Sequence, residues 1–107
     1  MQPGRSVFIA ALLCGIVCAV PARAETIKIE MKDLVVTPAE VTAKVGDTIV
    51  WENRDVFAHT ATATDKSFDV MLPPKKSGSL TVKKAGTFDY FCKFHPNMKA
   101  KLTVAPD

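Results

Sequence analysis

Cys92, His95 and Met98 stand three residues apart in the stretch Asp89-Tyr90-Phe91-Cys92-Lys93-Phe94-His95-Pro96-Asn97-Met98, directly after an alternating apolar run. A thiolate, an imidazole and a thioether are soft or borderline donors, a set suited to copper and poorly suited to calcium or magnesium. Zinc would recruit a second cysteine, a histidine or a carboxylate, and a thioether serves it badly. A type 1 copper centre needs two imidazoles and one thiolate in a trigonal array, with a weak axial thioether. The chain has two histidines in all, and the second, His59, supplies the missing donor if the fold carries it beside the cysteine loop. The candidate metal ligands are therefore His59, Cys92, His95 and Met98, around one copper that alternates between Cu(I) and Cu(II).

Two other chemistries compete for the same residues. A Cys–His pair can act as a nucleophile and base, but no third, orienting residue stands at a recognisable position, and a chain this short does not easily build a substrate cleft. Copper delivery or storage is the alternative within metal biology. It predicts exchangeable binding and Met-rich or His-rich tails, and the sequence has neither.

The compartment bears on what a lone thiol is for. Arg5 gives a positive start, Val7 to Val20 form an apolar run, and Ala22-Arg23-Ala24 is a small-x-small cleavage site. The pattern is that of a secretory signal peptide over residues 1–24, cut before Glu25, with the periplasm as destination. The apolar run is too short to span a bilayer, which takes roughly 20 residues. Leu13 and Val17 stand before Cys14 and Cys18 where a lipoprotein signal would carry a small residue. Cleavage removes Arg5 and Arg23 from the fourteen Lys and Arg, leaving twelve against eleven acidic residues. A nearly neutral domain does not announce nucleic-acid binding. Cleavage also removes two of the three cysteines, so Cys92 is left with no internal partner for a disulfide. In an oxidising space such a thiol has to be buried, paired between chains, catalytic or metal-bound.

The elements that must position these donors read as strands throughout. Residues 25–107 suffice for one domain. Ile27, Ile29 and Met31 alternate with polar residues, as do Val41, Ala43 and Val45 before a Gly46-Asp47 turn; Ile49 and Trp51 continue the pattern. Leu80 and Val82 alternate further on, Ala85-Gly86 turns the chain, and Phe88, Tyr90 and Cys92 share one face of a strand. A last strand is expected over about residues 101–105. Pro38 separates the first two strands, Pro73-Pro74 ends the 68–72 segment, and Pro96 is expected to keep 92–98 a tight loop. No segment has a helical period. Seven or eight short strands in one domain suggest an antiparallel Greek-key sandwich.

On these residues the chain resembles the cupredoxins, and within that family the amicyanins. The resemblance runs through Val45-Gly46-Asp47-Thr48 and Val50-Trp51, the segment Asn53-Arg54-Asp55 to His59, Met71 near Lys75-Lys76, Ala85 to Tyr90, and the short Cys-x-x-His-x-x-Met loop. It implies an all-β, cupredoxin-like sandwich that carries single electrons and is not an enzyme. It also implies transient redox partners, with a periplasmic dehydrogenase as donor and a c-type cytochrome as acceptor. Two positions depart from the family pattern: Thr60 replaces an asparagine after the first histidine, and Lys93-Phe94 replaces Thr-Pro. Phe94, unlike proline, keeps an amide hydrogen that is expected to reach the cysteine sulfur and favour the reduced state. His95 is the expected electron port. Phe57, Ala58, Met71 and Pro73 either surround it as an apolar patch or fill the core. Lys75, Lys76, Lys93, Lys99 and Lys101 are candidates for steering an acidic partner.

Overall fold

The computed structural model describes residues 23–107, so the expected signal segment lies outside the described residues except for Arg23 and Ala24. Nine strands follow in chain order: β1 (Thr26–Lys32), β2 (Val35–Thr37), β3 (Glu40–Lys44), β4 (Thr48–Asn53), β5 (His59–Ala63), β6 (Asp69–Leu72), β7 (Ser77–Thr81), β8 (Gly86–Cys92) and β9 (His95–Ala105). They form two sheets, one ordered β2-β1-β4-β7 and the other β3-β9-β8-β5-β6. The all-β sandwich agrees with the alternation in the sequence.

Its ladders are mixed. β1 pairs with β4, and β3 with β9, in parallel, while the other neighbours run antiparallel. The reason lies in the crossovers: the chain leaves the first sheet after β2, adds β3 to the second, and returns to lay β4 beside β1 in the same direction. The hairpin strand β2 and the strand β5 were not expected from the sequence. Residues 33 and 34 close the β1–β2 turn with both φ angles positive, at 54° and 63°, the paired left-handed geometry of tight hairpins.

Alternate residues of β1 and β4 bury Ile29, Met31, Ile49 and Trp51 against Leu72, Tyr90, Cys92, Met98 and Leu102 of the facing sheet. Trp51 is fully buried, so its indole hydrogen needs a partner. It donates to the Tyr90 hydroxyl at 3.1 Å, and the two rings meet edge-on at 5.7 Å. Burial pushes the Tyr90 phenol above its ordinary pKa, with the Trp51 hydrogen bond working the other way. Tyr90 lies two residues before Cys92 on β8, in the same buried cluster.

The stretch after Cys92 differs from the loop that Pro96 suggested. β8 ends at Cys92 and β9 begins at His95, leaving only Lys93 and Phe94 as the turn. Proline is tolerated there because the register slips: Phe91 faces Lys99 while Cys92 faces His95, so residues 96–98 form the bulge. A bulged residue makes no ladder bond, and the missing amide of Pro96 is not needed.

Candidate metal centre

His59 opens β5, a strand whose five residues are all buried. β5 lies between β6 and β8 in the second sheet, which delivers His59 to the end where β8 stops and β9 begins. Cys92 Sγ is 3.6 Å from His59 Nδ1 and 3.7 Å from His95 Nδ1. The ligand atoms of the three residues all lie within 4.8 Å of one another. His59 and Cys92 are completely buried and His95 is partly exposed. Met98 is buried in the bulge of β9 within the same apolar cluster as Cys92.

These separations fit a three-donor metal face. Bonds of about 2.3 Å to sulfur and about 2.0 Å to nitrogen, lengths found at zinc, place two donors about 3.7 Å apart when they open at about 120°. The donor set of one thiolate and two imidazoles, with a buried thioether nearby, selects copper.

The orientation of His59 follows from its other ring nitrogen. Nε2 lies 2.8 Å from the Asp55 carboxylate, so it carries the hydrogen and Nδ1 presents its lone pair to the centre. Asp55 also accepts the amides of Asp33 at 2.7 Å and Leu34 at 3.2 Å, which tie the tip of the β1–β2 hairpin to the histidine. Burial works to raise the Asp55 carboxyl pKa; the hydrogen bonds from His59, Asp33 and Leu34 outweigh it and hold the group below the usual carboxylate range. Asn53 braces the same loop from inside. Its Oδ1 accepts the Asp55 amide at 2.8 Å, and its Nδ2 lies on the carbonyls of Phe57, Leu72 and Pro73. Asn53 and Asp55 carry no role in the sequence reading. A carboxylate four residues before a candidate histidine ligand was the signal available.

The structure corrects the expectation for Phe94. Among the described residues, the polar atoms within hydrogen-bond distance of Cys92 Sγ are the two imidazole nitrogens, and the Phe94 amide is not one of them. The anchored amide in this turn is that of Lys93, which donates to Thr60 Oγ1 at 2.9 Å. Thr60 thus makes a tie to the cysteine turn with a hydroxyl.

The rim is apolar. Phe57, Met71 and Phe94 are 50%, 54% and 52% exposed, so they do not fill the core. Phe57 meets the His95 ring at 5.8 Å. Two of the candidate steering lysines are already engaged: Lys75 Nζ donates to the Arg54 carbonyl, and Lys93 Nζ pairs with Asp69 at 2.9 Å.

A β-sandwich with a thiolate, two imidazoles and a thioether gathered at one end defines the class of blue-copper electron-transfer proteins. Comparison with known proteins agrees. The chain matches the family model described as a cupredoxin-like domain over residues 5–104. It is 38% identical over 92 residues to an amicyanin of Paracoccus versutus, covering 79% of this chain and 67% of the relative. It is 35% identical over 71 residues to an amicyanin of Paracoccus denitrificans, covering 61% of this chain and 54% of that one. The crystal structure of the Paracoccus versutus amicyanin superposes with a TM-score of 0.65 at 31% identity, over 81% of this chain and 86% of the other. The chain belongs to the cupredoxin-like family and is similar to the amicyanins, which makes it an electron carrier and not an enzyme.

Proposed function

We propose that this chain is a periplasmic one-electron shuttle whose single type 1 copper would be held by His59, Cys92, His95 and Met98. The observation that carries this reading is the convergence of the His59, Cys92 and His95 donor atoms within 4.8 Å, reached from two distant segments of the chain. When bound, the copper supplies a one-electron Cu(I)/Cu(II) couple.

The chain's own residues hold that site still. Asp55 fixes the His59 ring from behind, Asn53 pins the loop that carries Asp55, and the Trp51–Tyr90 pair supports β8 from within the core. A donor set that is rigid in both oxidation states needs little rearrangement when an electron arrives. His95 is the one donor with partial exposure, and the Phe57 ring against it supports His95 as the port through which the electron passes.

The exposed apolar rim suits brief docking, since redox encounters bury little surface. In keeping with the amicyanin likeness, the partners are transient redox proteins, a periplasmic dehydrogenase as donor and a c-type cytochrome as acceptor. Residues 1–24 act as the signal peptide and residues 25–107 as the mature copper domain. A titration of Cu(II) into the purified metal-free chain tests the ligand set. An intense visible thiolate-to-copper band should rise to saturation at one copper per chain, vanish in Cys92→Ser, His59→Ala and His95→Ala, and shift without vanishing in Met98→Leu. A Cys92→Ser protein that keeps the band would refute the assignment.

A further inference from the structure

Thr60 and Thr62 are buried hydroxyls on β5 that belong to no donor set. Thr62 Oγ1 lies 2.8 Å from Thr60 Oγ1 and 2.8 Å from Asp69 Oδ1. Thr60 Oγ1 accepts the Lys93 amide at 2.9 Å, and the Lys93 ammonium donates to Asp69 Oδ2 at 2.9 Å. The four residues therefore close a ring that starts and ends on Lys93, the residue after Cys92.

The Thr62 hydroxyl stands between two acceptors in this ring. The Asp69 carboxylate can only accept, and Thr62 has a single hydroxyl hydrogen. Thr62 Oγ1 shares that hydrogen between Asp69 Oδ1 and Thr60 Oγ1, and the Thr60 oxygen accepts from both Thr62 and the Lys93 amide. The ammonium first, and the Thr62 hydroxyl second, hold the Asp69 carboxyl below the usual carboxylate range. Linked hydrogen bonds that end on a charge polarise one another.

The ring also lies where the backbone ladder stops. β5 and β8 pair only at Thr62–Phe91 and Ala63–Tyr90. Beyond that point, toward the metal end, the bond from Lys93 to Thr60 ties the residue after Cys92 to the residue after His59.

We propose that Asp69 is a positioning residue for the metal centre: acting through the hydroxyls of Thr62 and Thr60, it fixes the Cys92–Lys93 peptide and so the place of the sulfur relative to His59. Asp69 sits on β6, 23 residues before Cys92 in the sequence, and its carboxylate touches no candidate ligand. Its effect on the sulfur rests on the copper reading above; its effect on the peptide does not.

The test is a double-mutant cycle on the purified chain with Cu(I) present, reading hydrogen exchange of the Lys93 amide relative to that of Leu102 in the core, together with the visible band of the Cu(II) form. Asp69→Ala should speed Lys93 exchange relative to Leu102 by about fivefold, the worth of one modest hydrogen bond, and shift the band. In a Thr62→Val background the same substitution should change neither reading, because the path is already cut. Thr62→Ser, which keeps the hydroxyl, should match the parent in both. The proposal is overturned if Asp69→Ala leaves Lys93 exchange at the parent value, or if its effect persists in full in the Thr62→Val background, which would mean that the charge acts directly through space. A chain that takes up no copper would refute the copper reading, while Lys93 exchange would still decide whether the ring holds the peptide.

Discussion

Replacing Asp55 with alanine should damage stability and metal binding together. The carboxylate accepts three hydrogen bonds, from His59 Nε2 at 2.8 Å, the Asp33 amide at 2.7 Å and the Leu34 amide at 3.2 Å. His59 is completely buried, so its ring hydrogen would lose its acceptor with no solvent to replace it, at a cost of about 1–3 kcal/mol. The two amides lie at the exposed tip of the β1–β2 hairpin, where water can take over, and each adds no more than about 0.5 kcal/mol. The sum is about 1–4 kcal/mol. With a urea dependence of about 1 kcal/mol per molar for a domain of this size, the unfolding midpoint should fall by about 1–4 M. Losing the partner that orients a histidine ligand typically weakens metal binding by about 10–100-fold. Urea unfolding of the metal-free chain and competitive copper titration measure the two effects separately. Asp55→Asn, which keeps an acceptor oxygen, should fall between the parent and Asp55→Ala. A midpoint within about 0.3 M of the parent together with copper affinity within about twofold would refute the bracing role.

Three further outcomes follow from the fold. The backbone nitrogen of Glu25, and after it that of Lys44, hold the Asp47 carboxyl below the usual carboxylate range; its folded pKa is thus below its unfolded value of about 3.9. The stability it contributes is complete above that value and lost as pH falls through the folded pKa. Asp47→Asn should accordingly flatten the acid limb of a stability profile, and an unchanged limb would count against this. Tyr90→Phe strands the buried Trp51 indole hydrogen and should lower stability by about 1–3 kcal/mol in calorimetry; a parent-like melting temperature would contradict it. A Cβ on Gly78 would come within 2.8 Å of both Leu72 Cδ2 and Val70 Cγ1. Gly78→Ala must therefore displace the Leu72 and Val70 side chains or push β7 from β6, costing about 1–3 kcal/mol, and an unshifted unfolding midpoint would show that the site has room.

What the sequence made legible was the chemistry that is local. Cys92, His95 and Met98 lie within one short stretch, and their donor types alone narrow the metal. Strands with apolar alternation, such as β1 and β4, were readable because one face is buried and the other is not. β5 was not, since His59-Thr60-Ala61-Thr62-Ala63 offers no apolar stripe; it is a strand because β6 and β8 pair with it on either side, and it is buried on every residue. Pro96 misled because a proline in an isolated stretch says nothing of the bulge that absorbs it. The parallel ladders come from crossovers between sheets and have no signature within any one strand. Asp69 was illegible for a similar reason: an aspartate at a strand end gains a role only when the fold sets a threonine hydroxyl against it, whereas Asp55 left a faint signal in its place four residues before His59.

A stepwise one-electron reduction of the copper-loaded chain, with the metal content measured after every cycle, tests the central claim most directly. An electron carrier held by His59, Cys92, His95 and Met98 should lose its blue colour at one electron per copper, regain it on reoxidation, and keep its copper through repeated cycles. Copper released on reduction would instead mark a protein that hands the metal on, and would contradict the account.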